Sequence, residues 1–479
     1  MGGGLANKSE AETKPDTRIR GLVFAALLAG FIGGWDASSS FFIFPDIKET
    51  IANGDAANAS WVLSTPNIVG AALLLQSGRL TDKYGPERLY RFGVFFYTLG
   101  VILCTIAPTL WTLVGARVIS SSGQAVMGPA AIAVVLRNTP VGNRSEAVGR
   151  WGFYTAVAGA LSPIAISQLI DTFSWRALFA LQIPLGLFVA YLLFTFGTKQ
   201  VEDVDTNVTL RPIDALLTVA GLTTLILPIV KADSWGWTSL RTVTFFVTSF
   251  ILIAVLLFRS DSSASSPLQL KLFTSKGFLL SSIMSITAGV AFYAHWLGMI
   301  LFLTEIWGYG LVKAGLLLTI MPGTMSLLSI YAGKVADRHG ERWVMIPGIL
   351  VYTILYGLFW LFCGRSENLL LLILALLGSG VGMAGVWPTL TSLGAQGIQE
   401  NMIGSATAII HTFQRIGGAF GIAVVLAVVG EASGVDSFNA HRDGVLVIAI
   451  GGLATFICSV FLSRRNYVGN SKTAARFLG

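Results

Sequence analysis

The chain has few charged residues and few cysteines for its length. Charged residues make up 12% of its 479 residues, about half of the roughly 25% found in soluble globular domains. The cysteines Cys104, Cys363 and Cys458 all lie inside apolar runs, so no disulfide framework or zinc site is readable. Hydrophobic residues reach 54%. This composition excludes a soluble multidomain enzyme and a disordered chain, and it predicts a protein that lies in a lipid bilayer.

Motifs of the common enzyme classes are missing as well. The sequence contains no Walker phosphate-binding loop, no His-Glu-x-x-His and no pair of catalytic carboxylates. Its polar segments are too short for an appended soluble domain. We therefore expect no enzyme and no cofactor, and a membrane sensor or membrane enzyme is the least favoured alternative.

Apolar runs long enough to cross a bilayer occur fourteen times along the chain. They lie at 20–44, 60–80, 90–107, 110–136, 149–169, 177–197, 213–231, 239–258, 277–303, 312–332, 343–363, 369–390, 403–428 and 444–463. Together they predict an all-α integral membrane protein with fourteen transmembrane helices. Glycine and proline inside these runs allow close helix approach and kinks in a membrane bundle.

Lysine and arginine are distributed unevenly between the two sets of loops. If the N-terminus is cytoplasmic, roughly three quarters of the 32 Lys and Arg residues fall in cytoplasmic segments, which is the positive-inside pattern. Both termini are therefore predicted to face the cytoplasm in a plasma membrane, with the glycosylation sequon at Asn58 on the outer side. Basic loops explain the net charge of +7 without nucleic acid as a partner, so the lipid bilayer is the expected environment.

One short pattern occurs twice, in two loops on the predicted cytoplasmic side. Both copies read Gly-x-apolar-x-Asp-basic-x-Gly. The fixed positions are Gly78, Asp82, Lys83 and Gly85 after span 2, and Gly333, Asp337, Arg338 and Gly340 after span 10. The glycines permit sharp turns and close helix approach, and each Asp can cap a helix or meet a basic group. We interpret the two loops as a cytoplasmic gate, although a single copy could equally be an ordinary polar turn.

The two copies are eight spans apart, and this spacing indicates how the chain is organised. Two homologous six-helix bundles, spans 1–6 and 9–14, would be joined by two inserted central helices. Parallel repeats of this kind mark a large class of secondary transporters. The predicted segments are a tail at 1–19, a first bundle at 20–197, linkers with the inserted helices at 198–276, a second bundle at 277–463 and a tail at 464–479.

Several local patterns point in the same direction as the repeated loop. They are Asp36 followed by Pro45-x-Ile47, Arg117 in span 4, Ser174-Trp175-Arg176 before span 6, and Gly417-Gly418 in span 13. These patterns resemble the major facilitator superfamily, and its fourteen-helix drug:proton antiporter branch in particular. The resemblance implies a monomeric, proton-coupled antiporter that exports amphipathic small molecules or drugs by alternating access. The proton gradient would supply the energy, without a cofactor.

Other positions depart from that branch. The Gly-Pro and Gly-Gly pattern of its span 5 is replaced by Ser162-Pro163-Ile164-Ala165-Ile166, and its Arg-Gln order in span 13 appears as Gln414-Arg415. Spans 10 and 13 contain no acidic residue. The alternative is therefore an exporter of a lipid, siderophore, toxin or metabolite on the same fold, with a different coupling.

Two charged residues lie deep inside predicted spans, Asp36 in span 1 and Arg117 in span 4. At about 1.5 Å per residue, both lie about 10–12 Å from the predicted outer surface, so the two can pair. Burial raises the pKa of a carboxyl group and a nearby arginine lowers it. A carboxylate balanced between these effects can take up and release a proton. We predict Asp36 as the proton carrier and Arg117 as its modulator; the alternative is a static pair that holds spans 1 and 4 together.

Polar and aromatic side chains in other spans are candidate contacts for a small-molecule substrate near the membrane midplane. The predicted set is Trp35, Phe153, Tyr154, Tyr293, His295, Trp387, His411, Gln414 and Arg415. Three of these, His411, Gln414 and Arg415, share one face of span 13 because they are three and four residues apart. The alternatives are hydrogen bonding between helices for His411, interfacial anchoring for the cluster around His295, and core packing for each single aromatic residue.

Overall fold

The computed structural model describes residues 17–139, 144–197, 212–259, 270–395, 403–429 and 435–462. Within these ranges the secondary structure is helical, with no β-strand. The helices are α1 (Thr17–Ser39), α2 (Phe44–Thr50), α3 (Ala56–Ala59), α4 (Trp61–Tyr84), α5 (Pro86–Thr105), α6 (Leu110–Arg137), α7 (Arg144–Thr172), α8 (Arg176–Phe196), α9 (Pro212–Trp235), α10 (Leu240–Arg259), α11 (Lys276–Leu301), α12 (Leu311–Leu318), α13 (Ile320–His339), α14 (Arg342–Phe362), α15 (Leu369–Ala395), α16 (Ile403–Val429) and α17 (Val435–Val460). A 3₁₀ turn at Leu270–Thr274 precedes α11, and a π-helical turn at Phe302–Ile306 follows it.

Every predicted span coincides with helical structure. In the described part of the chain, eleven helical segments are long and apolar enough to cross a membrane, by length and composition. The helices α4, α5 and α9 are not among them, and the apolar part of α9 is the shorter stretch Ile213–Ile229. The all-helical, multi-pass architecture is therefore confirmed, whereas the number of fourteen spans stays a prediction.

The first span ends earlier than its apolar run predicts. The run extends to residue 44, but α1 ends at Ser39 and the short helix α2 begins at Phe44. The hydroxyls of Ser39 and Ser40 donate to backbone carbonyl oxygens one turn earlier, and such bonds give the backbone an alternative to continuing the helix. Pro45 then lies in the first turn of α2, a position that suits the fixed φ of proline.

The tenth span is also broken, between α12 and α13 at Thr319. Pro322 has no N–H to donate to the carbonyl of Leu318, and its ring crowds that carbonyl. The Thr319 hydroxyl lies within hydrogen-bond distance of two backbone carbonyls, 3.0 Å from that of Gly315 in α12 and 3.2 Å from that of Ala160 in α7. The break thus adds a hydrogen bond between distant parts of the chain.

The helices form two halves, α1 to α8 and α11 to α17, with the same internal neighbours. In the first half α1 packs on α7 and α5 on α6; in the second, α11 packs on α16 and α14 on α15. Glycines permit the closest approach at corresponding places. A Cβ on Gly34 would lie 2.0 Å from the carbonyl oxygen of Thr155, and a Cβ on Gly417 would lie 2.0 Å from that of Ile286. Between the halves, α4 packs on α16 and α7 packs on α13.

The inserted helices lie against the seam between the two halves. Helix α9 packs on both α4 and α16, where Ile226 joins Ile68, Ala71 and Ala419 in a small apolar cluster. Helix α10 packs on α9, and an ion pair of 2.8 Å between Arg259 and Asp214 ties the two together. The insertion therefore covers the α4–α16 contact between the halves.

The two ends of the bundle differ in how tightly the halves meet. We call the side on which α1 begins the tail face and the side on which α1 ends the far face. Near the far face, Phe41 stacks on Trp296 of α11 with ring centroids 6.4 Å apart, and Phe42 meets the same indole edge-on. Toward the tail face, Phe153 of α7 is 39% exposed and Tyr331 of α13 is 69% exposed. The ring contacts of Phe41 and Phe42 with Trp296 therefore join the halves near the far face.

Candidate functional site

An ion pair joins α1 to α6 in the first half. Nη1 of Arg117 lies 2.7 Å from Oδ1 of Asp36, and Nη2 donates to the hydroxyl of Ser40 over 2.9 Å. The guanidinium also lies over the ring of Phe179, 5.5 Å from its centroid. The side chains of Arg117 and Asp36 are only 2% and 7% exposed, so these charge-assisted hydrogen bonds offset the cost of burying both charges. The structure thus brings together Asp36 and Arg117, the two residues predicted to lie at similar depths in the membrane.

A small cavity opens beside this pair, between the two halves. Its walls come from α1, α4 and α6 of the first half and from α11 and α16 of the second. The polar side chains that line it are Asp36, Ser40, Asn67, Arg117, Tyr293 and Arg415. In this conformation the space open to water-sized molecules is about 20 Å³, enough for about one water and far below the roughly 300–1,000 Å³ of sites that enclose a drug-sized ligand. A ligand group larger than water therefore requires the two halves to move apart.

Arg415 brings a second guanidinium to this cavity, from α16. Its Nη1 donates to Oδ1 of Asn67 in α4 over 3.5 Å, a long hydrogen bond that joins the two halves. Gly70 of α4 lies beside the same side chain, and a Cβ there would be 3.5 Å from Nε of Arg415. Arg415 and Tyr293 are the two predicted substrate contacts of the second half that line the cavity, and their role in binding stays a prediction.

The other two predicted residues of span 13 bond to each other. Nδ1 of His411 lies 2.7 Å from Oε1 of Gln414, one turn further along α16. This hydrogen bond lies within one helix, unlike the bond between helices considered as the alternative for His411. Neither residue is part of the cavity lining.

The predicted aromatic contacts are spread over both halves. Trp35 lies on α1, 7% exposed. Phe153 and Tyr154 meet edge-on on α7, with ring centroids 5.9 Å apart, and Trp387 of α15 packs on Phe292 of α11 at 4.7 Å. None of these residues lines the small cavity, so the contact predicted for each would involve the part of a ligand that lies outside it.

His295 lies in the core of the second half instead of on the cavity wall. Its side chain is fully buried, and its Nδ1 shares a hydrogen bond with the hydroxyl of Tyr356 in α14. Side chains two residues apart on an α-helix point about 200° apart. Tyr293 therefore lines the cavity, while His295 points away from it into the core of the second half. The substrate contact predicted for His295 does not fit this position, because packed side chains surround it.

The two repeated loops share one turn geometry. Gly85 after α4 has a φ of 85°, and Gly340 after α13 has a φ of 94°, both in the region that side-chain-bearing residues avoid. Each glycine N–H also donates to a carbonyl in the last turn of the preceding helix. The side chains of Asp82 and Asp337 lie outside the described residues, so the gate assigned to them stays a prediction.

Among the remaining members of the two loops, Gly78 is buried, whereas Lys83 and Gly333 are half-buried. Nζ of Lys83 lies 5.9 Å from the ring centroid of Tyr84, and Arg338 is exposed. A Cβ on Gly333 would meet nothing within 4 Å. Among the described residues, the close helix approach expected at this glycine is therefore not seen.

Sequence reasoning did not single out two polar members of the cavity, Asn67 and Ser40. Asn67 interrupts an apolar run directly after Pro66, and a polar residue inside a span usually faces the bundle interior; that signal was available. A second polar contact was also missed, the 3.1 Å pair between Nε2 of His441 and Oε2 of Glu305 near the far face. These two residues are far apart in sequence, so no local pattern links them.

An all-helical membrane bundle with a charged cavity between two similarly built halves is the architecture of a membrane transporter. The sequence profile of the Major Facilitator Superfamily matches residues 26–422 and, separately, 281–477. The chain belongs to the Major Facilitator Superfamily, whose members are multi-pass membrane transporters and not enzymes.

Individual relatives within the family differ in what their names say they carry. The chain is 26% identical over 384 residues to the multidrug resistance protein Stp of Mycobacterium tuberculosis (strain CDC 1551 / Oshkosh), covering 80% of this chain and 70% of Stp. It is 27% identical over 323 residues to the riboflavin transporter RibZ of Clostridioides difficile (strain 630), covering 67% of this chain and 69% of RibZ. The crystal structure of a D-xylose-proton symporter superposes with a TM-score of 0.69 at 13% identity, over 94% of this chain and 99% of the symporter, which shows a common fold.

Proposed function

We propose that the protein is a proton-coupled antiporter that exports amphipathic small molecules across the plasma membrane by alternating access. The observation that carries this proposal is the buried Asp36–Arg117 pair on the wall of a cavity between the two halves. The protein would act as a monomer with both termini in the cytoplasm, and the proton gradient would take the place of a cofactor.

Asp36 is placed so that taking up a proton changes contacts between helices. The ionised carboxylate accepts a hydrogen bond from Nη1 of Arg117, whose Nη2 is held by Ser40. Protonation removes the negative charge and weakens the link between α1 and α6. Because the two protonation states make different contacts, a proton that binds from one side of the membrane can bias the equilibrium between conformations. A purely static pair would not respond in this way.

The direction of export follows from the predicted orientation. If the termini are cytoplasmic, the tail face is the cytoplasmic side, and the closed far face with Phe41 and Trp296 is the outer side. A substrate would then enter from the cytoplasm and reach the cavity between the halves. Opening to the outside would require the Phe41–Trp296 contact to break and the halves to close at the tail face.

The substrate cannot be carried over from the relatives, since Stp is named for multidrug resistance and RibZ for riboflavin at almost the same identity. A second candidate function is the export of a lipid, siderophore, toxin or metabolite with a different coupling. The observation that favours it is Arg415, a positive charge on the cavity wall in addition to the neutralised Asp36–Arg117 pair.

Inverted membrane vesicles with an acid interior test the antiport proposal. Cationic, neutral and anionic amphiphiles are added in turn, and a pH-sensitive dye reports the gradient. We expect some compounds to dissipate the gradient with the wild type and the Asp36→Asn variant to abolish that response. Glu49→Gln, which removes an exposed carboxylate of α2, is the matched control and should respond like the wild type.

Two outcomes would count against the proposal. If Asp36→Asn vesicles respond to the same compounds as the wild type, Asp36 is not the proton carrier. If well-folded wild-type protein responds to none of the three classes, proton antiport of amphiphiles is wrong and the second candidate is favoured.

A further inference from the structure

The charged side chains that line the cavity do not balance. Asp36 and Arg117 neutralise each other across 2.7 Å. Arg415 adds a positive charge from α16, and within the described ranges no carboxylate forms an ion pair with it. The cavity therefore has a net charge of +1 while Asp36 is ionised.

Arg415 also has spare hydrogen-bonding capacity. A guanidinium carries five N–H donors, and among the described residues this one makes a single hydrogen bond, at 3.5 Å, to Asn67. An arginine at this depth in a membrane bundle is costly, and such residues usually pair with a polar group or face a water-filled cavity on a substrate path. A ligand with acceptor oxygens would supply the partners that the neighbouring helices do not.

The position of Arg415 suits the head group of a transported molecule. The side chain projects from the second half, while Asn67 and the Asp36–Arg117 pair line the opposite wall, which belongs to the first half. A ligand that binds Arg415 would therefore contact both halves, as alternating access requires. The cavity has about 20 Å³ of free space in this conformation, room for about one water, so the head group would enter when the halves move apart, with the apolar remainder toward the tail face.

We infer that the cavity binds the acidic head group of an amphipathic monoanion, a carboxylate or sulfonate, with Arg415 as its anchor. The inference rests on the proposed function in one respect, that this cavity is the substrate site. A bound monoanion brings the cavity to zero net charge, whereas a monocation raises it to +2. Because burying uncompensated charge is unfavourable, the two halves can close on the anion more readily than on the cation.

Three probes that share one apolar body test this inference. The probes are 2-naphthylacetate, 2-naphthylacetamide and 2-naphthylethylamine, titrated into the purified full-length protein in detergent at one pH, with binding followed by calorimetry. We expect the acetate to bind at least about tenfold more tightly than the amide, which corresponds to about 1.4 kcal/mol, and the amine to bind most weakly.

Variants of the two cavity charges then assign the preference. Arg415→Gln should weaken binding of the acetate more than that of the amide and so remove the advantage of the acetate, and Arg415→Lys should keep part of the advantage because it keeps the charge. Arg241→Gln, which removes an exposed arginine of α10, is the control and should bind like the wild type. Asp36→Asn should bind the acetate at least as tightly as the wild type, because the cavity becomes more positive.

The inference is overturned if the amine binds as tightly as the acetate, or if Arg415→Gln keeps the preference of the wild type. Should Arg415→Gln fail to fold, the ranking of the three probes with the wild type and Arg415→Lys still decides. Failure of the antiport proposal would look different. Asp36→Asn would then retain proton movement in vesicles while Arg415 still governed the preference for anions.

Discussion

The two halves of the molecule are alike in their packing and unlike in their charges. Both contain a helix pair brought close by a glycine, Gly34 in the first half and Gly417 in the second, and both have a positive-φ glycine at a repeated loop. Their contributions to the cavity differ. The first half supplies a neutralised Asp36–Arg117 pair, whereas the second supplies Arg415 with only a long bond to an amide.

The two halves thus share the glycine positions that let their helices pack, but they do not share the charged residues that line the cavity. Glycine positions are fixed by backbone clearance, which both halves need in order to pack. Under the proposed function, the ionisable residues of the two halves differ because one half handles the proton and the other the substrate head group. We therefore assign the proton to the first half and the substrate head group to the second, and a loss of Asp36 should have different consequences from a loss of Arg415.

The largest effect on stability is expected when Arg117 is replaced by alanine. This change leaves the carboxylate of Asp36 buried without its partner, which should cost about 3–5 kcal/mol, as for other broken buried pairs. Arg415→Ala removes one long hydrogen bond and should cost about 1 kcal/mol or less. Thermal unfolding of the purified variants, followed by tryptophan fluorescence, measures the difference.

A double variant checks the physical reason for that difference. Asp36→Asn combined with Arg117→Ala removes both charges and should recover much of the stability lost in Arg117→Ala alone. Equal losses of stability in Arg117→Ala and Arg415→Ala would break the distinction between the two halves.

A smaller and more symmetrical effect is expected at the close helix contacts. Gly34→Ala and Gly417→Ala each place a methyl group 2.0 Å from a backbone oxygen, so helices must move apart, at a cost of about 1–3 kcal/mol. Gly33→Ala and Gly323→Ala are matched controls, since a Cβ at either site meets nothing within 4 Å. The same unfolding assay should show similar losses for both halves and none for the controls. A loss confined to one half would contradict the shared scaffold.

Much of the fold could be predicted because membrane helices are recognisable in a sequence by their length and hydropathy. The apolar runs located every long helix, and the duplicated glycine loop indicated two related halves. The breaks at Ser39 and Thr319 were not predicted, because hydropathy does not detect side-chain bonds to the backbone or the effect of Pro322 one turn away. By length and composition, α4, α5 and α9 do not qualify as membrane spans, so fewer spans are supported than the sequence predicted.

The site was predictable only where depth and residue type sufficed. Matching depths placed Asp36 beside Arg117, and the polar face of span 13 contained Arg415. The remaining contacts depend on the rotation of each helix about its own axis. The sequence does not show which face of a helix meets the cavity. For that reason His295 was expected to contact the substrate beside Tyr293, whereas Asn67 was overlooked although it interrupts an apolar run.

The division of labour between the halves is tested most directly by two transport assays on the same proteoliposomes. One assay measures uphill transport of 2-naphthylacetate driven by a proton gradient, and the other measures its counterflow without a gradient. Our account predicts that Asp36→Asn loses uphill transport but keeps counterflow, whereas Arg415→Gln loses both. Asp36→Asn that retains gradient-driven transport, or Arg415→Gln that retains full counterflow, would contradict it.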